Sequence, residues 1–269
     1  MTGHHIPPVL LVGAGKMGGA MFAGWCRAGL APSVLIDPHP QPGLARACDQ
    51  VVDDADTPIA GFAPAAIIVA VKPQMADAVL PKLTKFLRPN TIVLSIMAGR
   101  KIAGLSAALG GATVMRAMPN TPAAIGRGIT VACAGPGVTD DQLRLCDTLL
   151  AAVGEVAFVD DEALIDPVTA VSGSGPAYIF LLAELMEQAG IEAGLPPDLA
   201  RRLARRTVSG SGALMDASPE DAAVLRRAVT SPKGTTERAL AVLMAPDAWP
   251  RTIREAINAA TKRAGELSG

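Results

Sequence analysis

Aromatic side chains are scarce in this chain: two Trp, one Tyr and five Phe amount to 3% of its 269 residues. A core built on large rings is excluded, so Ala, Leu, Val and Ile must fill it, which favours close packing of small-residue helices. Histidine is also rare. All three lie before residue 40, so no His of the later chain can act as a general acid. Neither sign of charge is in excess. The formal net charge of −1 leaves no electrostatic case for nucleic acid or an anionic membrane as partner. The densest basic cluster, Arg201, Arg202, Arg205 and Arg206, has helical spacing and reads as a solvated or interface face.

The four cysteines, Cys26, Cys48, Cys133 and Cys146, form no C-x-x-C pair and lie on otherwise apolar segments. They read as buried free thiols of a reducing compartment rather than a disulfide frame. No His stands at ligand spacing from any of them, so no metal site is expected. No stretch approaches the ~20 uninterrupted apolar residues of a bilayer span. Met1-Thr2-Gly3-His4-His5 lacks the basic region that opens a secretory signal. A soluble cytoplasmic protein is predicted. Half of the chain is hydrophobic, and its length suits one large domain or two modest ones.

What is present is organised around Val9-Leu10-Leu11-Val12-Gly13-Ala14-Gly15-Lys16-Met17-Gly18. Four apolar residues run into G-x-G-x-x-G, and a segment of helical character follows from Gly19 to about Ala28. This is the strand, turn and helix of a dinucleotide-binding βαβ unit. Gly13 makes the tight turn, Gly15 lets the backbone approach a pyrophosphate, and Gly18 lets helix and strand pack closely. The helix N-terminus offers free N–H donors. Asp37 closes the next apolar run, Val34-Leu35-Ile36, as the fingerprint requires. A purely structural glycine turn is the competing reading.

Alternation continues with strands at 66–71, 91–95, 113–117, 129–133 and 156–159 and helices at 79–87, 102–109 and 139–153, predicting a parallel sheet covered on both faces. Beyond Asp160-Asp161-Glu162 no strand is evident. Helical stretches near 163–193, 197–216, 219–229, 234–244 and 247–267 are punctuated by Gly and Pro. The chain therefore divides into a Rossmann-type α/β domain, 1–162, with a doubly wound sheet, and an all-α domain, 163–269. Ser172-Gly173-Ser174-Gly175-Pro176 interrupts the first of the later helices, and its small residues suit either tight helix packing or ligand contact.

Ligands of a doubly wound sheet sit beyond the carboxyl ends of its strands. Those ends read Gly13–Gly18, Asp37-Pro38-His39, Val71-Lys72-Pro73-Gln74, Ser95-Ile96-Met97-Ala98-Gly99 and Met118-Pro119-Asn120-Thr121-Pro122. The acids that usually serve carbonyl reduction are missing. Tyr178 has Leu182 rather than Lys four residues on, and no Lys occurs at 176–190. A protonated imine needs no such acid, because hydride adds to carbon while nitrogen keeps its proton. Thr230-Ser231-Pro232-Lys233-Gly234-Thr235-Thr236-Glu237, opening a helix, offers hydroxyls and free N–H groups suited to a carboxylate. A plain capping box is the alternative for that segment.

Gly-Ala-Gly-Lys-Met-Gly (13–18), Ala-Val-Lys-Pro (70–73), Met-Pro-Asn-Thr-Pro (118–122), Val-Ser-Gly-Ser-Gly-Pro-Ala-Tyr (171–178) and Thr-Ser-Pro-Lys-Gly-Thr-Thr (230–236) together resemble the pyrroline-5-carboxylate reductase family over nearly the whole chain. The resemblance implies reduction of 1-pyrroline-5-carboxylate to L-proline with NADPH or NADH and no metal. It implies a C-terminal dimerisation domain, giving a homodimer and in some members a decamer. It puts the cofactor at Gly13, Gly15, Lys16, Met17, Gly18, Asp37, Val71, Lys72, Pro73, Met97, Ala98 and Asn120. The substrate falls to Ser231, Lys233, Gly234, Thr235 and Thr236, with Ser174 and Gly175, and Thr236 faces the ring nitrogen as the catalytic residue.

The chain departs from the family pattern at three places. Lys233 stands where Gly is common, Met97 replaces an Ala and is expected to crowd the nicotinamide, and Asp37-Pro38-His39-Pro40 replaces a small polar turn that receives a 2′-phosphate. Two other functions compete: a reductase of a related cyclic imine, such as a six-membered ring, and a protein that senses NAD(H) without turnover. The second leaves the 230–236 loop without a purpose.

Overall fold

The computed structural model describes residues 6–59 and 61–268, so the reading of residues 1–5 lies outside the described residues. The chain forms two compact units, Met1–Gly173 with Ala260–Gly269, and Ser174–Ala259.

The first unit holds a sheet of β1 (Val9–Val12), β2 (Val34–Ile36), β3 (Gln50–Val52), β4 (Ala66–Val69), β5 (Ile92–Ser95), β6 (Val114–Met118), β7 (Gly128–Ala134) and β8 (Gly154–Phe158), ordered β3-β2-β1-β4-β5-β6-β7-β8. Neighbours from β3 to β6 run parallel, with Leu10 beside both Val34 and Ile67. The sheet is not parallel throughout as predicted, because β7 is antiparallel to β6. Only the 3-10 turn Thr121–Ile125 links them, whereas a parallel return needs a crossover of about a dozen residues or more. Strand β3 is absent from the sequence reading. It is a three-residue edge strand with one buried side chain, too short to show a period.

Helices cover both faces. Val9, Leu11, Leu35 and Ile68 turn toward α1 (Lys16–Arg27) and α4 (Asp140–Ala151), meeting Met21, Phe22, Trp25, Leu149 and Leu150. The alternate residues Leu10, Val12, Ile67 and Val69 face α2 (Ala76–Leu83) and α3 (Ile102–Ala108), meeting Leu80, Leu83, Ile102 and Leu105. Period-two side chains buried on both sides make these strands near-continuous apolar runs. The Trp25 indole N–H donates to the Leu149 carbonyl at 2.7 Å, satisfying a buried donor where α1 meets α4. Helix α4 opens on a full capping box between Thr139 and Gln142. Helix α1 begins at Lys16 rather than the predicted Gly19, and α2 at Ala76 ahead of the predicted Val79.

After β8 come α5 (Ile165–Val168), a π turn (Thr169–Gly173), α6 (Gly175–Glu192), α7 (Pro197–Ala217), α8 (Ala222–Ala228), α9 (Thr235–Leu243) and α10 (Trp249–Ser268). Within the second unit Ala200 and Ala204 of α7 are buried, and Ala200 sits against Gly190 of α6. The remaining apolar faces are open: Ile179, Phe180, Leu181, Leu185, Leu203 and Leu214 are all exposed. Glu162–Glu192 is long enough and, at a mean hydropathy of 1.3 in its most apolar window, apolar enough to cross a membrane by composition. It is not an uninterrupted apolar run, since Asp166, Pro176, Glu184 and Glu187 break it.

All four cysteines are free, but two are not buried as expected. Cys133 and Cys146 are buried, Cys26 is half-buried and Cys48 is exposed. In the turn before β3 the inward residue is Asp49, its side chain buried against Arg46, and its neighbour Cys48 is left outside. Burial pushes the Cys146 thiol up to about 12 and raises that of Cys133, so neither is a nucleophile near neutral pH.

Candidate active site

The glycine turn has the geometry that its sequence demands. Gly13 has φ +94°, and a Cβ there would lie 2.8 Å from the Ala70 carbonyl group, so both backbone and space require glycine. A Cβ on Gly18 would come 2.1 Å from the Gly13 carbonyl oxygen, which is the close helix–strand approach. Around Gly15 the space is open, with nothing within 4 Å of a Cβ position. Gly15 is the N-cap of α1 and Gly19 N–H is the first to bond back to it, at 2.7 Å. The N–H groups of Lys16, Met17 and Gly18 therefore have no partner within the helix and border that open space, and Lys16 is exposed. An open, glycine-walled turn with free donors fits a pyrophosphate.

Asp37 follows β2 on the same edge. Its Oδ2 accepts the Ala14 N–H at 2.6 Å and its Oδ1 accepts the His39 N–H at 2.8 Å. Gln41 reaches the same turn, its amide donating to the Gly15 carbonyl at 3.4 Å. The acid of the fingerprint is thus fixed in orientation by the glycine turn itself.

The parallel strands β4, β5 and β6 bring Val71, Lys72, Pro73, Met97, Ala98 and Asn120 to that same edge, because parallel neighbours end together. Lys72 is exposed, with Pro73 opening a 3-10 turn behind it. Met97 does not stand over the loop as expected. It is 2% exposed and packs into the core of the α2–α3 face, its flexible thioether filling space there and leaving the loop its backbone. The Asn120 side chain is occupied, its Oδ1 accepting the Ile129 N–H at 3.0 Å to close the β6–β7 link.

Ser172 lies in the π turn, a form of helix that concentrates at functional sites. Its buried hydroxyl has no hydrogen-bond partner among the described residues. Ser174 then caps α6 without a side-chain hydrogen bond, and the space beside Gly175 is open.

In the second unit, Ser231, Lys233, Gly234, Thr235 and Thr236 gather at the start of α9. The capping box, the alternative for this segment, is not formed. Gly234, not a Ser or Thr, is the N-cap, and Glu237 accepts the Lys233 N–H at 2.8 Å instead. The N–H groups of Thr235, Thr236 and Glu237 head the helix without intrahelical partners. Ser231 turns toward them, since a Cβ on Gly234 would meet its Oγ at 2.5 Å. Lys233 has φ +62°, the one non-glycine residue in the left-handed region among the described residues.

Sequence reading missed Arg116, in mid-strand on β6 and 2% exposed. Its guanidinium donates to Glu162 at 3.0 Å and to Asp166 at 3.5 Å, and Glu162 also accepts the Ile102 N–H at 2.8 Å. A lone cation between Met115 and Ala117 was the available signal. A buried charge needs partners, and they come from some fifty residues away, where no local pattern announces them. Among the described residues no group of His, Cys, Asp and Glu could hold a metal ion.

Residues 162–267 match the family model described as pyrroline-5-carboxylate reductase dimerisation, and residues 8–99 match that described as NADP oxidoreductase, coenzyme F420-dependent. The pyrroline-5-carboxylate reductase of Pseudomonas aeruginosa is 39% identical over 267 residues, covering 97% of each chain. Among solved structures, a pyrroline-5-carboxylate reductase from Coxiella burnetii superposes with a TM-score of 0.87 at 30% identity, covering 97% of this chain and 98% of that one. A Plasmodium falciparum pyrroline carboxylate reductase, solved with NADP bound, has the same fold at a TM-score of 0.81 and 24% identity, covering 97% of this chain and 98% of that one. Full-length identity and a dinucleotide turn of the right geometry lead to one assignment: the chain belongs to the pyrroline-5-carboxylate reductase family of NAD(P)-dependent oxidoreductases.

Proposed function

We infer that this chain carries out the reaction for which its family is named, reducing 1-pyrroline-5-carboxylate to L-proline with a reduced nicotinamide dinucleotide. The observation that carries the reading is 39% identity to a reductase of that name over 97% of the chain. Bound dinucleotide supplies the hydride. The residues of the chain hold and orient.

The free N–H groups after Gly15, with Gly13 and Gly18, take the pyrophosphate, and Lys16 and Met17 flank it. Asp37 takes the ribose hydroxyls, which supports NADH being used at least as well as NADPH. Val71, Lys72, Pro73, Met97, Ala98 and Asn120 border the nicotinamide. The substrate carboxylate is held by the Ser231 hydroxyl and the N–H groups of Thr235 and Thr236 beyond the Gly234 turn, with the Lys233 ammonium beside it and Ser174 and Gly175 completing the pocket. Thr236 hydrogen-bonds the ring nitrogen. An alcohol is too weak an acid to protonate that nitrogen, so the imine arrives protonated from water and catalysis rests on positioning.

Residues 1–162 form the dinucleotide domain and 163–269 the substrate and dimerisation domain, in a cytoplasmic homodimer that assembles further into decamers in some family members. The open apolar faces of α6 and α7 support burial against a second copy. Comparing the rates of NAD(P)H oxidation with 1-pyrroline-5-carboxylate and with its six-membered homologue tests the substrate. Faster turnover of the five-membered ring is expected, and preference for the larger ring overturns the assignment.

A further inference from the structure

We propose that Arg100 and Leu267 are positioning residues for the nicotinamide end of the cofactor site. The proposal rests on the reading of Lys72-Pro73 and Met97-Ala98 as the border of the nicotinamide. Both loops belong to the first unit, as do the last turns of α10.

Arg100 leaves the β5 loop directly after Gly99. One Nη donates to Asp77 Oδ1 at 2.9 Å, and the other donates to Asp77 Oδ2 at 3.2 Å and to the Pro73 carbonyl at 3.1 Å. A single planar guanidinium thus grips the backbone of the Lys72-Pro73 loop and the first turn of α2 from the end of the neighbouring loop. A lysine ammonium is a point donor and does not reproduce that fork.

On the other side lies Gly99, with φ +69° and an absent Cβ that would lie 2.7 Å from the Leu267 Cβ and 2.8 Å from its carbonyl oxygen. The C-terminal turn of α10 is therefore seated on the backbone of the Met97-Ala98 loop. One turn earlier Ala264 is buried, so the helix end is anchored where it lands. Pro73, Gly99, Arg100 and Leu267 line one cleft of about 550 Å³.

Neither contact is a device for stability. The side chains of Arg100 and Asp77 are 35% and 78% exposed, and an ion pair that open to water adds little to folding. Leu267 is 48% exposed and removes little apolar surface from water. What both contacts fix is the relative position of two loops, and small errors of position are costly in hydride transfer.

The test is binding to the full-length protein, measured with NAD(P)H and with ADP-ribose, which lacks the nicotinamide, alongside thermal unfolding. Arg100→Ala should weaken NAD(P)H about tenfold, leave ADP-ribose unchanged and leave Tm unchanged, and Arg100→Lys should recover little of that affinity. Leu267→Ala should act in the same sense by a few-fold. Equal weakening of both ligands, no weakening of either, or a fall in Tm in step with the affinity overturns the proposal while leaving the cofactor site intact. If the unaltered protein binds neither ligand, the cofactor-site reading itself fails and the proposal falls with it.

Discussion

The carboxylate of Asp37 accepts the N–H of Ala14 at 2.6 Å, across twenty-three residues of chain, so the end of the second strand is tied to the dinucleotide turn before any ligand arrives. That bond and the one from His39 aim the carboxylate at fixed geometry. A carboxylate there accepts both ribose hydroxyls and repels a 2′-phosphate. NADH should therefore be used at least as well as NADPH, and Asp37→Ser should move preference toward NADPH. Ratios of kcat/KM for the two cofactors check this. A strong NADPH preference in the unaltered protein that survives Asp37→Ser contradicts it.

Lys233 adopts φ +62°, a conformation that costs a side-chain-bearing residue roughly 1–2 kcal/mol. Lys233→Gly removes the cost but adds freedom to the unfolded chain, so a net gain of about 0.5–1 kcal/mol is expected. Thermal unfolding should show a Tm higher by about 1–2 °C, with turnover retained. A lower Tm would mean that the lysine side chain makes a stabilising contact that outweighs the strain.

Asp49 gives a pH dependence with a definite sign. Burial pushes its carboxyl up, but the Arg46 side chain and the N–H groups of Arg46 and Ser33 outweigh burial and hold it below its ordinary value. A group lowered in the folded state contributes stability that is complete above the unfolded value, near pH 4, and is lost as pH falls through the folded value. Asp49→Asn should cost on the order of 2 kcal/mol at neutral pH. Below about pH 4 the two proteins should converge in stability. Denaturant unfolding over a pH series reads both effects, and a constant gap down to the acid limit refutes the linkage.

If each active site pairs the dinucleotide domain of one subunit with the 230–236 loop of the other, two impaired variants should complement one another in a mixed dimer. The space beside Gly15 is open, so Gly15→Asp should fold and yet repel a pyrophosphate. Thr236→Val removes one hydroxyl at the start of α9. Co-refolded in equal amounts, the two should regain activity toward about a quarter of the full complement of sites, since half of the dimers are hybrid and each hybrid has one intact site. Hybrids that stay inactive while both parents remain folded dimers rule out a site built from two subunits.

What could be read from the sequence was local. The glycine turn, the apolar strands β1, β2, β4, β5 and β6 and the residues at their carboxyl ends are set by neighbours a few positions apart, and each stands where its pattern put it. The direction of β7 was not legible, because it depends on how short the Thr121–Ile125 link is, not on the strand's own alternation. Nor were the partners of Arg116, or the seat of Leu267 on Gly99, since both contacts join distant parts of the chain. Met97 follows β5 as its pattern placed it, but the burial of its side chain was not legible, because that depends on packing against α2 and α3.

The central claim is reduction of a cyclic iminium positioned by the loop of Thr236, and its most direct measurement is NAD(P)H oxidation with 1-pyrroline-5-carboxylate, proline being quantified in the same samples. One proline should form per NAD(P)H consumed. Thr236→Val should lower kcat/KM by about 10- to 100-fold, the effect of removing a single hydrogen bond to the substrate. Ser231→Ala should mainly raise KM, because the carboxylate is bound alike in ground and transition states. If Thr236→Val keeps full activity while Lys233→Gly abolishes it, the lysine is the essential group and the account is wrong.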